Sequence, residues 1–102
     1  MAEVTVTTTN IEDLINGENP VLLDFWASWC VPCKMQAPIF ADAAEKLSEK
    51  AVFGKVNVDE QMSLAQKYRV VSIPTLVLIK NGEVIKKEVG LHTLEEITDM
   101  LS

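Results

Sequence analysis

The chain has 102 residues, 48% of them hydrophobic and 24% charged, the balance of one ordinary globular domain over residues 1–102 rather than of a disordered, collagenous or fibrous chain. Nine Lys and Arg against 15 Asp and Glu give a net charge of −6, which repels phosphate backbones and argues against nucleic acid as a partner. A domain of this size buries roughly two-thirds of the surface its unfolded chain exposes, so it needs neither metals nor disulfide staples to hold a core.

No apolar run approaches the roughly 18 residues of a spanning helix. The first basic residue is Lys34, and the polar stretch before Val21 has neither the charged start nor the apolar run of a secretory signal. A soluble protein of the reducing cytoplasm, with no membrane association, is therefore expected. There a persistent structural disulfide is disfavoured, and a close cysteine pair points to catalysis or metal binding.

In chain order, Val4 to Thr7 is a β-branched run that predicts a strand, followed by a helix from Ile11 that Asn10 or Thr9 can cap and Gly17 can end. Val21 to Trp26 (VLLDFW) is nearly all apolar, as in a strand covered on both faces. From Pro32 to about Glu49, Phe40, Ala43, Ala44 and Leu47 recur at helical spacing, with Pro38 placed to kink the helix. Val52 to Val58 predicts a further strand. Asp59 is placed to cap a short helix whose apolar stripe is Leu64, Ala65 and Tyr68. Thr75 to Ile79 predicts a buried strand, and Asn81-Gly82 turns it into Val84 to Val89. Thr93 and Glu96 have capping-box spacing before Leu94, Ile97 and Leu101, a closing helix. The order β-α-β-α-β-α-β-β-α, without repeats or linkers, predicts an α/β fold with a mixed sheet between helices.

The chemistry concentrates at Trp29-Cys30-Val31-Pro32-Cys33. Cys30 follows a buried strand and precedes a long helix, where free N–H groups and the helix dipole favour a thiolate. Pro32 suits the first turn, where its missing N–H costs nothing. Cys33, one turn on, can attack a mixed disulfide formed at Cys30, so the pair reads as nucleophile and resolving thiol. Other readings compete. A structural disulfide over so short a loop gives only about 2 kcal/mol. A zinc site needs about four ligands, and only His92 adds a nitrogen donor. A haem site would place His where Lys34 stands. Two inert buried cysteines are the remaining alternative.

FWASWCVPCK, Pro38, KVNVD, VSIPT, KNGE and Gly90, in this order and spacing from about residue 4 to the C-terminus, resemble the thioredoxin family. The resemblance implies a central mixed sheet flanked by four helices. It also implies a dithiol that reduces protein disulfides, with no bound cofactor and no metal. The pair is regenerated by a flavin-containing thioredoxin reductase that draws on NADPH. The partners implied are that reductase and disulfide-containing proteins. Most members have Gly where Val31 stands; the β-branched side chain stiffens the loop and adds apolar surface. Ser72 replaces the glycine often found two residues before the proline.

Asp24 is the lone charge in VLLDFW. A carboxyl desolvated there has a raised pKa and can act as acid or base, unless it sits at the strand edge facing water. The resemblance makes it the group that deprotonates Cys33 through water. Lys55 reads by alternation as part of a solvated strand face; the resemblance makes it a neighbour that modulates Asp24. Pro74 reads by default as a trans proline opening a strand. The resemblance makes the Ile73-Pro74 bond cis and turns it toward the cysteines, where the Ile73 backbone can pair with an extended substrate.

Trp29, Val31, Pro32, Ile73, Gly90 and Leu91 would then form a shallow apolar docking platform, although each singly is more often core or turn. Trp26 is assigned to the core, and His92 to the surface without a catalytic role. Two other functions stay open: a thiol oxidase or isomerase on the same fold, tuned by Val31, and a binding subunit that leaves the thiols as bystanders. No self-pairing helix is evident, so a monomer is expected.

Overall fold

The computed structural model describes residues 2–102. Its elements are β1 (Glu3–Thr5), α1 (Ile11–Ile15), β2 (Val21–Trp26), α2 (Val31–Lys46), β3 (Val52–Asn57), α3 (Met62–Lys67), β4 (Thr75–Lys80), β5 (Glu83–Val89) and α4 (Leu94–Met100). The five strands form one sheet in the order β1-β3-β2-β4-β5. The first three are mutually parallel, and β4 and β5 run antiparallel to their neighbours. This is the mixed sheet with four helices that the alternation and the resemblance imply.

The pleat divides the core. Val21, Leu23 and Phe25 of β2, with Val56, Val77 and Ile79, pack against Ile11, Ile15, Leu64 and Tyr68 of the α1/α3 side. Leu22, Phe53, Leu76 and Leu78 face the opposite way, onto Phe40, Ala43, Ala44, Ile97 and Met100 of α2 and α4. Each such large side chain, buried fully, is worth roughly 1.5–3 kcal/mol. Asp24 falls on the second face, in step with Leu22. Gly54 is the thin point of the sheet: a Cβ there would stand 2.5 Å from Val6 Cγ2 and 3.0 Å from Leu23 Cδ2.

Several boundaries differ from those expected, each for a local reason. β1 stops at Thr5, yet Val6 is buried and still donates its N–H to Lys55 O at 2.9 Å. The Asn10 side chain, placed to cap α1, instead accepts the Thr7 N–H at 2.8 Å and donates to Thr5 O at 2.8 Å. Asp59 does not cap α3. That helix begins only after Gln61 and has no side-chain cap, while Asn57 Oδ1 takes the N–H groups of Asp59 and Glu60 in the turn before it. α2 starts one residue earlier than expected and ends at Lys46, with Cys30 as its N-cap and Pro38 withdrawing one N–H from its interior.

At the second edge, Asn81 (φ 55°) and Gly82 (φ 78°) adopt the left-handed pair that a two-residue hairpin needs. A bulge at Leu78/Ile79 shifts the β4–β5 register. On β5, Lys86 donates to Met100 O at the end of α4. Its neighbour Lys87 reaches the carbonyls of Tyr68 and Arg69 at the end of α3. The Thr93–Glu96 capping box forms in both directions at the start of α4.

Candidate active site

The turn from β2 into α2 sets the cysteines. The Cys30 N–H bonds Ala27 O at 3.3 Å, which reverses the chain after the strand. Cys30 itself is extended (φ −93°, ψ 113°), so its side chain folds over the helix start and its Sγ accepts the Cys33 N–H at 3.2 Å. Cys30 and Cys33 are both buried and joined as a disulfide, with Cα atoms 5.2 Å apart. The oxidised pair thus sits at the positive end of a 16-residue helix. When the bridge opens, the same N–H and the dipole stabilise a thiolate on Cys30.

Around the bridge, Trp29 (66%) and Val31 (65%) are among the most exposed apolar side chains, and Pro32 is exposed beside them. The indole Nε1–H of Trp29 donates to Asp59 Oδ2 at 2.8 Å. Asp59, expected to cap a helix, therefore holds the tryptophan at the rim of the site. The Ile73-Pro74 bond is cis, as the resemblance implies and against the default reading. It brings Ile73 O to 3.7 Å from Cys30 Sγ, and half-buried Ile73 packs against the cysteine pair. Gly90, with φ 102°, donates its N–H to Pro74 O at 2.8 Å and places exposed Leu91 next along the chain.

Asp24 is 1% exposed, and neither carboxylate oxygen has a hydrogen-bond partner. Burial pushes its pKa up to about 7, the Lys55 charge pulling against it and Glu3 adding slightly to the rise. Lys55 pairs in register with Asp24 across β2 and β3. It is half-buried rather than on a solvated face, and its ammonium lies 4.8 Å from the centroid of the Trp26 ring. A cavity of about 240 Å³ has Cys33, Lys55, Trp26 and Ser28 among its walls, room for several waters.

Two residues depart from the sequence reading. Trp26 is half-buried, packs against Cys30 and Cys33 rather than in the main core, and leaves its Nε1 without a partner. His92 is not on the surface: it is 9% exposed, with Nδ1 2.8 Å from Gly90 O and Nε2 3.2 Å from Glu88 Oε1. Gln36, which the sequence reading does not single out, is fully buried and bonded to the His92 backbone. Among the described residues no group of three or more His, Cys, Asp or Glu side chains is placed to hold a metal ion. No helix among the described residues is long and apolar enough to cross a membrane.

Comparison with known proteins is consistent over the whole chain. The thioredoxin family model matches residues 2–102. Thioredoxin from Staphylococcus saprophyticus is 45% identical over 102 residues, 99% of this chain and 96% of the relative. Thioredoxin from Haemophilus influenzae is 47% identical over 89 residues, 87% of this chain and 83% of the relative. Among solved structures, the Malassezia sympodialis thioredoxin Mala s 13 superposes with a TM-score of 0.89 at 33% identity, covering 99% of this chain and 88% of that one. A mutant thioredoxin from Halobacterium salinarum gives a TM-score of 0.90 at 36% identity, covering 97% and 87%. With a cysteine bridge of this spacing at the head of α2, the chain belongs to the thioredoxin family and is a protein-disulfide reductase that acts by dithiol–disulfide exchange.

Proposed function

We propose that residues 1–102 act as one domain in which Cys30 is the attacking thiol and Cys33 the resolving one. The observation that carries this assignment is the Cys33 N–H directed at Cys30 Sγ from the first turn of α2, which lowers the energy of charge on Cys30 alone. In the reduced protein the Cys30 thiolate attacks one sulfur of a substrate disulfide. That S–S bond breaks, a mixed disulfide forms, and the departing substrate thiolate takes up a proton. Cys33 then loses its proton, with the Asp24 carboxylate as the base, and attacks Cys30 Sγ. The mixed disulfide breaks, the second substrate thiolate leaves and is protonated, and the Cys30–Cys33 bond remains. Two electrons and two protons have passed to the substrate.

Lys55 modulates the titration of Asp24 from across the ladder. Trp29, Val31, Pro32, Ile73, Pro74, Gly90 and Leu91 form the docking platform, with the Ile73 backbone free to pair with an extended substrate segment. The partners are disulfide-bonded proteins and an NADPH-dependent thioredoxin reductase that returns the pair to the dithiol. The protein works as a monomer in the cytoplasm, without binding nucleic acid. Cys33→Ser should accumulate a mixed disulfide with a protein substrate, and Cys30→Ser should abolish turnover; wild-type reductase activity in Cys30→Ser would overturn the assignment.

A further inference from the structure

We propose that Gln36 is a positioning residue: it fixes the Gly90–His92 segment relative to the cysteines and so governs how tightly this chain accepts protein disulfides. The proposal rests on the docking role given above to Gly90 and Leu91.

Gln36 is fully buried on α2, one helical turn beyond Cys33. A buried amide has no water to turn to and must find its partners in the protein. Gln36 finds both on one distant residue: Oε1 accepts the His92 N–H at 2.8 Å, and Nε2 donates to His92 O at 3.0 Å. This two-bond pairing fixes the amide's orientation, because reversing it would set donor against donor and acceptor against acceptor. The His92 ring turns back on its own segment, Nδ1 donating to Gly90 O at 2.8 Å. Gly90 in turn donates to Pro74 O at 2.8 Å, and Pro74 follows Ile73, whose carbonyl faces Cys30 Sγ.

A closed circuit results, from Cys33 along α2 to Gln36, through His92 and Gly90 to Pro74, and back to Cys30. Leu91 lies inside it and is 41% exposed. Its position in the chain is held by directional bonds of the residues on either side, Gly90 and His92. Removing the amide leaves a buried N–H and a buried carbonyl on His92 unpaired, and the segment relieves this only by moving toward water. Gln36 touches neither sulfur, so the exchange chemistry itself is left intact.

The test mixes pre-reduced wild type and Gln36→Met with insulin or with 5,5′-dithiobis(2-nitrobenzoate), a small disulfide that needs no docking platform, and follows single-turnover rates. The half-saturating insulin concentration should rise about tenfold in Gln36→Met with the limiting rate unchanged, since sub-ångström misplacement at a binding surface is costly. The rate with the small disulfide should stay within about twofold, while amide exchange at His92 accelerates. Gln36→Glu keeps the acceptor but loses the donor; it should lie between the two and serves if Gln36→Met does not fold. A parallel fall with both substrates would make Gln36 a merely structural residue and overturn the proposal. So would unchanged insulin half-saturation with His92 exchange accelerated. A wild type inert toward both substrates would instead defeat the functional reading, and this inference with it.

Discussion

Asp24 and Lys55 stand opposite each other on adjacent parallel strands, yet the carboxylate has no hydrogen bond from Lys55 or from any other group. The attraction of the ammonium lowers the Asp24 pKa less than burial raises it, so the folded value reaches about 7 from 3.8. The group is therefore poised at neutral pH because its desolvation is only partly compensated.

That imbalance makes stability depend on pH in a defined direction. Because the folded pKa lies above 3.8, the carboxyl favours the folded state fully below pH 3.8 and loses that contribution as pH rises through about 7. Between about pH 5 and pH 9 the loss is on the order of 3 kcal/mol. Asp24→Asn, which cannot ionise, should remove this slope and unfold at higher urea than wild type at pH 9. Parallel pH profiles for the two proteins would count against the buried carboxylate as the cause.

The same group should be felt in kinetics. With Asp24→Asn, release of a mixed disulfide at pH 7 should slow about a hundredfold, the lower end of what a positioned base supplies. Formation of the mixed disulfide, which depends on the Cys30 thiolate, should change much less. Quenched-flow separation of the two steps decides the matter, and an unaltered release rate would remove Asp24 from the mechanism.

Val31 bears on the redox balance. A β-branched residue at the first position of α2 restricts the reduced chain, so the bridge closes at a smaller entropic loss. Val31→Gly should raise the midpoint potential by about 10–20 mV, the equivalent of a few tenths to one kcal/mol in a two-electron couple. Equilibration in graded dithiol buffers, read by the fluorescence of Trp26 and Trp29, measures it. A midpoint that stays put or falls would contradict this account.

Gly54 offers a test confined to stability. Gly54→Ala must push aside Val6 and Leu23, both buried, and should cost about 1–3 kcal/mol by overpacking. The urea midpoint should drop while reductase activity per folded molecule holds. An unchanged midpoint would mean that the chain yields at Val6, just past β1, without penalty.

What the sequence made legible was local or carried by the motif. Asn81-Gly82 names its own turn, Thr93 and Glu96 their own cap, and VLLDFW its own burial, because each depends on residues within a few positions. Cys30 and Cys33 stand out by their spacing at a strand-to-helix junction, Ile73 and Pro74 through the resemblance, and the fold gathers the four together. His92 reads as surface and Gln36 is not singled out, because neither shows its partner locally: 56 residues separate them. Asp59 was misread for a related reason. The helix begins beyond it, after Gln61, and the Asp59 carboxylate instead accepts from Trp29, 30 residues away. Gly54 gave no signal, since its constraint comes from the packing of β1 and β2 over it.

The two lysines of β5 give the exposed edge of the sheet a second duty. Neighbours on a strand point to opposite sides, so Lys86 secures the end of α4 on one face and Lys87 the end of α3 on the other. One strand thereby clasps both helical layers, each lysine supplying positive charge where helix carbonyls end unpaired. An amine-reactive dye or cross-linker that consumed these two side chains would remove a tie from both layers at once, so labelling would weaken α3 and α4 at their C-terminal ends together.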